Sequence, residues 1–188
     1  IFTALVNLYY FRKQLKGYYS WLLATTVSIL VTLVVFIIMG SKLTSFAEKH
    51  LYFDQVIYSN QTPYQRIVVT RSNTTREHRL YIDGHIQFSS KDEYRYHESL
   101  VHPIMSMPGA IQNILILGGG DGMAAREVLK YDAVRNIHLV DIDPEMTRMS
   151  RNLWLIKDLN NDSLSHPKIT IFNQDAFTFM KEANIQYD

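Results

Sequence analysis

The sequence predicts an α/β chain preceded by a membrane helix, and three observations carry that expectation. The first is a run from Tyr18 to Met39 that holds neither a charge nor a proline. The second is a set of short, β-rich, alternating stretches between Val56 and Ser89. The third is Asn113 to Asp143, NILILGGGDGMAAREVLKYDAVRNIHLVDID, which reads as strand, glycine-rich turn, helix and a second strand ending in acid. The expected order is therefore an N-terminal transmembrane helix, a small antiparallel β region, then a Rossmann-like parallel sheet.

Composition narrows the partners. The chain has 188 residues, 47% of them hydrophobic, with a formal net charge of +1, so nothing points to nucleic acid or to an acidic partner. Cysteine is absent, which excludes disulfides, thiolate metal sites and a cysteine nucleophile.

At about 1.5 Å per residue, Tyr18 to Met39 is long enough to cross a hydrocarbon core of about 30 Å. Tyr18, Tyr19 and Trp21 stand at one end, as an interfacial aromatic belt would. The run is too long for a cleaved signal, and no small-residue cleavage site follows it. The preceding IFTALVNLYYF, which does not begin with Met, reads as the tail of an earlier span, so a multi-pass fragment is expected. Arg12, Lys13 and Lys16 would place their loop in the cytoplasm and the globular part outside, an asymmetry that Lys42 and Lys49 weaken. The expected layout is 1–39 membrane region, 40–54 polar linker, 55–90 β-hairpin domain and 91–188 nucleoside-binding domain, truncated at its C-terminus.

Within the β region, Val56 to Ser59, Gln65 to Arg71, Arg79 to Asp83 and Ile86 to Ser89 are the expected strands, with a turn at Asn73 to Thr75 and a tight hairpin at Asp83-Gly84. Ser90 with Glu93 forms a candidate capping box for a helix towards Met105, interrupted near Pro103. Pro144 opens a helix whose Met146, Met149, Leu153 and Trp154 are expected in the core. Lys168 to Phe172 is a third parallel strand, Asp175 to Lys181 a helix, and Tyr187-Asp188 the start of another strand.

The turn at Gly118, Gly120 and Gly122 must be tight and must let a ligand approach the backbone. Asp141, about 20 residues on, can accept hydrogen bonds from ribose hydroxyls. Asp121 sits where a pyrophosphate would otherwise meet the helix N-terminus, so NAD, FAD and ATP fit poorly. A nucleoside with a cationic tail fits better. Asp121 serves equally as a cap for the following helix, and that reading stays open. His97, Glu98 and His102 are spaced H-E-x-x-x-H, which does not put both histidines on one helix face, so no metal is expected.

The succession YQRIVVT (64–70), LYIDGHIQFSSKDEYRYHESLVHP (80–103), ILGGGDG (116–122), VDID (140–143) and NQDAFTFM (173–180) resembles the spermidine synthases, the polyamine aminopropyltransferases. The likeness spans about Val56 to Asp188, and the membrane-spanning N-terminal region is similar to a bacterial branch with several such helices. The resemblance implies a methyltransferase-type Rossmann-like fold. It also implies transfer of an aminopropyl group from decarboxylated S-adenosylmethionine to putrescine, giving spermidine and methylthioadenosine, with no tightly bound cofactor. By the same resemblance Asp121 holds the amine, Asp141 the ribose, and Asp175 with Ala176 the adenine edge. Gln65 contacts the nucleoside, and Tyr96 and His97 face the polyamine. The family usually carries Glu where this chain has Asp141, which leaves less slack to reach a ribose. Tyr64, Tyr94 and Tyr96 also fit as amphipathic core aromatics. The catalytic base is an aspartate in a D-x-x-D-P-type loop expected after Asp188, so no catalytic residue is expected within the fragment.

The implied co-substrate is made in the cytoplasm, so the catalytic part is expected there, on an inner membrane, with lipid and a second copy of the chain as partners. Two rivals remain: a methyltransferase using intact S-adenosylmethionine, which Asp121 disfavours, and a non-catalytic membrane-anchored polyamine or nucleoside-binding module.

Overall fold

The structure, a computed structural model, describes residues 2–15, 17–183 and 185–188; Lys16 of the basic loop lies outside them. Two compact units emerge, Ile1–Phe53 and Asp54–Asp188.

The first unit pairs helix α1 (Phe2–Phe11) with the long helix α2 (Tyr19–Leu51). Its segment Tyr19–Gly40 has a mean hydropathy of 2.7 and is apolar on every face, the one helix among the described residues long and apolar enough to cross a membrane. Val31, Phe36, Ile37 and Ile38 are all exposed. In water each such side chain would forgo about 2 kcal/mol of burial. The few polar side chains turn inward: Thr25 and Thr26 donate to Leu22 O at 2.9 and 2.8 Å, and Thr32 to Ser28 O at 2.9 Å. Such internal partners are what a lipid-facing helix needs. The helix continues past Gly40 to Leu51, over the stretch that reads in sequence as the polar linker. A lone glycine costs a helix only about 1 kcal/mol, and no proline follows to stop it.

The second unit begins with four antiparallel strands in the order β1-β2-β3-β4: β1 (Gln55–Gln61), β2 (Arg66–Arg71), β3 (His78–Ile82) and β4 (His85–Ser89). The Asp83-Gly84 turn takes φ of +49° and +81°, the doubly left-handed turn that matches strand twist. Alternate residues Ile67, Val69 and Leu80 point one way and pack with Phe88 against Met123, Met146, Met149 and Ile156. The antiparallel sheet thus shares a core with three helices of the α/β part, those that contain Met123, Met146 with Met149, and Ile156.

Helix α3 (Glu93–Met105) begins differently from the capping-box expectation. Asp92 is the N-cap, with no side-chain cap bond, because Ser90 Oγ instead accepts from His78 N at 2.9 Å across the sheet. The helix also runs through Pro103 unbroken. There the proline sits in the last turn, and the one carbonyl it deprives, that of Ser99, belongs to an exposed residue.

Three parallel strands follow in the order β5-β6-β7, with β5 (Asn113–Leu117), helix α4 (Met123–Val128), β6 (Asn136–Val140), helices α5 (Pro144–Asn152) and α6 (Trp154–Leu159), β7 (Ile169–Phe172) and helix α7 (Ala176–Glu182). Ala124 and Ala125 let α4 lie close on the sheet, against Ile137 and Leu139. Leu153 takes an extended ψ of 111° and splits the helix opened by Pro144. Met146 and Met149 are buried as expected, but the break turns Trp154 outward, leaving it 60% exposed. Asp188 N donates to Asn113 O at 3.1 Å, so the last residues line up along the free edge of β5.

Candidate nucleoside-binding site

The glycine-rich turn leaves β5 at its C-terminal end, the end of a parallel sheet where ligands bind. Gly118 N donates to Val140 O at 2.7 Å, tying the turn to β6. Asn160 Nδ2 donates to Asp121 O at 2.8 Å, and Ser163 Oγ to Gly122 O at 2.7 Å. Gly122 has φ +83°, and an added Cβ would come within 2.8 Å of Leu164 Cγ and Ser163 Oγ. It shapes the turn from behind and does not face the cavity.

In front of the turn lies a cavity of about 370 Å³. Gly118, Gly120, Asp121 and Asp141 line it, together with Gln65, Asp175 and Ala176. Ile82, Ile142 and Met146 supply apolar wall. Seven of the residues expected at the site thus share one cavity. Tyr96 and His97 lie outside its lining, as does Gly122. Tyr94 and Tyr96 are exposed on α3 and Tyr64 is exposed between β1 and β2, so none of the three is a core aromatic. His97 is buried, with Nδ1 within 2.8 Å of Glu93 Oε2 and 2.9 Å of Glu93 O. Both neighbours are acceptors, so Nδ1 carries the proton.

The carboxylates are positioned by backbone. Asp141 Oδ2 accepts from Gly120 N at 2.8 Å and Oδ1 from Asp143 N at 2.9 Å, so the shorter acid folds back on the turn. Each oxygen keeps a second lone pair for a ligand hydroxyl. Gly120 is required by that contact: a Cβ would meet Asp141 Oδ2 at 2.6 Å and Met146 Cγ at 2.9 Å. Gly120→Ala should displace Asp141 and lower stability by about 1–3 kcal/mol from overpacking, read by thermal melting together with weaker nucleoside binding. An unchanged melt and unchanged affinity would refute the contact's importance. Asp175 caps α7, its Oδ1 accepting from Thr178 N at 2.8 Å.

Asp121 does both things its sequence position allows. Its Oδ1 accepts from Met123 N at 2.8 Å at the start of α4, while the residue also lines the cavity. Burial pushes its carboxyl above the usual aspartate range, and the neighbouring Asp141 and Glu93 push the same way, against the Met123 N–H and His97. The fold therefore favours the protonated acid. That contribution to stability is present below the ordinary aspartate value and lost as pH rises through the raised one. Cation binding runs the other way, because it needs the ionised form. Affinity for a cationic ligand should fall as pH drops through the raised value, and Asp121→Asn should abolish that dependence; a profile indifferent to the substitution would contradict it.

Sequence reading passed over several supporting residues. Asp143 is fully buried: Oδ2 accepts from Thr62 Oγ1 at 2.8 Å and Gln65 Nε2 at 2.9 Å, and Oδ1 from Glu145 N at 3.0 Å. Its only visible signal was Asp before Pro at a helix start. Glu93 and Arg126 form a two-pronged ion pair at 2.9 and 3.0 Å under the turn. Away from the cavity, Glu98, His102 and Glu127 have ligand-type atoms within 4.8 Å of one another. Lys130 Nζ already lies 2.5 Å from Glu127 Oε2 and 4.0 Å from Glu98 Oε1.

Fold and cavity together define an α/β unit with a glycine-rich turn at the C-terminal end of its parallel sheet and an acid, Asp121, at the start of the next helix. Residues 93–188 match the spermine/spermidine synthase domain, and the chain belongs to that family. It is 45% identical over 188 residues to polyamine aminopropyltransferase 1 of Streptomyces coelicolor, covering 98% of this chain and 35% of that protein. With the polyamine aminopropyltransferase of Leptospira interrogans it shares 43% identity, covering 88% of this chain and 33% of the relative. The chain thus spans about a third of the length of these relatives. The crystal structure of spermidine synthase from Thermotoga maritima superposes with a TM-score of 0.66 at 30% identity, over 71% of this chain and 46% of the other. A spermidine synthase in complex with the transition-state analogue AdoDATO gives the same values.

Proposed function

We propose that the protein is a polyamine aminopropyltransferase that moves the aminopropyl group of decarboxylated S-adenosylmethionine to putrescine, yielding spermidine and methylthioadenosine. The observation that carries this reading is Asp121, a cavity-lining carboxylate at the helix start where nucleotide phosphates would otherwise sit. The co-substrate has lost its carboxylate and carries a sulfonium and an ammonium, so an acid there attracts it and repels intact S-adenosylmethionine. That disfavours the methyltransferase reading. The relatives named as aminopropyltransferases support catalysis over a purely binding module.

In this reading Asp121 holds the amine, Asp141 the ribose hydroxyls, Asp175 and the Ala176 N–H the adenine edge, and Gln65 the nucleoside. Tyr96 and His97 face the polyamine. Putrescine's neutral amine attacks the carbon beside sulfur; a C–N bond forms, the C–S bond breaks, and its electron pair stays on sulfur as the thioether. The amine's surplus proton passes to a carboxylate base, to which we assign none of these 188 residues. We further propose that α2 anchors the protein in the inner membrane as one of several spans, with the catalytic unit cytoplasmic, and that the antiparallel sheet forms a homodimer.

Membranes containing the full-length protein, supplied with putrescine and decarboxylated S-adenosylmethionine, should release spermidine and methylthioadenosine in equal amounts by mass spectrometry. Methylated product from intact S-adenosylmethionine, or no product from either, would contradict the reading.

A further inference from the structure

We infer that Asp143 is a positioning residue that sets the specificity of the cavity by fixing which way the Gln65 amide points. An amide can present either its oxygen or its NH2 to a ligand, and the hydrogen-bond network decides which. Here Gln65 Nε2 lies 2.9 Å from Asp143 Oδ2, and a carboxylate only accepts. Nε2 is therefore the donor, and Oε1 is the amide atom left for the cavity that Gln65 lines.

The arrangement is rigidly held. Asp143 is fully buried at the start of α5, with Oδ1 committed to Glu145 N at 3.0 Å and Oδ2 shared with Thr62 Oγ1 at 2.8 Å. Thr62 in turn accepts from Tyr64 N and Gln65 N at 3.1 and 3.0 Å, so the loop carrying Gln65 is fastened to the same acid. With Asp121 and Asp141, Gln65 Oε1 makes a set of acceptors around one cavity. Such a set welcomes ligand groups that bring protons, hydroxyl or ammonium, and penalises a bare carboxylate. The inference rests on the nucleoside reading and adds to it a residue that does not touch the ligand.

Asp143→Asn tests it with little loss of volume. The asparagine Oδ1 can keep Glu145 N, and its NH2 then faces Gln65; Thr62 Oγ1, whose lone pairs already take Tyr64 N and Gln65 N, turns its own proton to Gln65 O at 3.0 Å. To accept from that NH2, Gln65 must turn its amide over, which puts Nε2 on the cavity side. Gln65→Glu in the Asp143→Asn background restores an acceptor on both sides, whereas Gln65→Glu alone sets two carboxylates against each other. In the full chain in detergent, Gln65→Glu should therefore lower the melting temperature when Asp143 is intact and raise it in the Asp143→Asn background, a reversal of sign.

Calorimetric titration supplies the second readout, using methylthioadenosine and its 2′,3′-dideoxy counterpart as probes, which differ in the hydroxyls an acceptor on the nucleoside side would meet. Asp143→Asn should reduce the preference for the hydroxyl-bearing form by about tenfold, the scale of one mispaired polar group, and the double variant should restore it. General damage to the fold would weaken both ligands alike and leave their ratio unchanged. No reversal of sign, or a ratio untouched by Asp143→Asn while binding persists, overturns the inference alone. An unsubstituted chain that binds neither probe overturns the nucleoside reading, and the specificity role with it.

Discussion

Asp121→Asn should lower the affinity for decarboxylated S-adenosylmethionine by roughly 30- to several-thousand-fold, the range for removing one partner of a desolvated charge pair worth about 2–5 kcal/mol. The asparagine keeps an oxygen for Met123 N, so the start of α4 survives and the effect isolates the charge. Methylthioadenosine, which lacks the cationic tail, serves as the internal control. Its affinity should stay within about threefold of the unsubstituted chain, a change of less than about 1 kcal/mol. Equal losses for both ligands would mean that Asp121 acts only as a cap, the other reading its sequence position allows.

Arg126→Leu should give the largest loss of stability. Arg126 holds Glu93 through both oxygens, Glu127 Oε1 at 2.9 Å and Leu159 O at 2.6 Å. Glu93 and Glu127 are almost wholly buried. Removing the guanidinium leaves Glu93 buried beside a histidine alone, and breaking such a pair costs about 3–5 kcal/mol. For a unit of this size that is on the order of 10 °C in melting temperature. Arg126→Lys should fall between, since an ammonium cannot span both carboxylate oxygens. Adding Glu93→Leu to Arg126→Leu should recover much of the loss, because the uncompensated charge goes with it. A melt unchanged by Arg126→Leu would show that the pair is dispensable. The consequence reaches the site, as Glu93 also fixes the Nδ1 proton of His97.

Much of this arrangement was legible in the sequence because local chemistry dictated it. Glycines after an apolar strand, an acid at the end of the next strand and Asp-Gly between alternating stretches each answer to one backbone requirement. Those requirements single out Gly118, Gly120, Asp121 and Asp141, which line one cavity; Asp175, which lines it too, was visible only through the family resemblance. What escaped was set by distant partners. Ser90 was free to cap α3 until His78, twelve residues earlier in the chain, claimed its hydroxyl. Trp154 has the spacing of a core residue, but the break at Leu153 rotates it to the surface. Asp143 looks like an ordinary cap before proline, and only folding brings Thr62 and Gln65 onto its other oxygen. Gly40 suggested an end to α2 that its neighbours, all tolerable in a helix, did not enforce.

The most direct test of the central claim is the ratio of affinities of this chain for decarboxylated and intact S-adenosylmethionine, measured by calorimetry at neutral pH. An acid where phosphate would sit predicts a preference for the decarboxylated form of about a hundredfold or more, equivalent to about 3 kcal/mol. Equal affinities, or tighter binding of intact S-adenosylmethionine, would contradict the account and return the site to the methyltransferase reading.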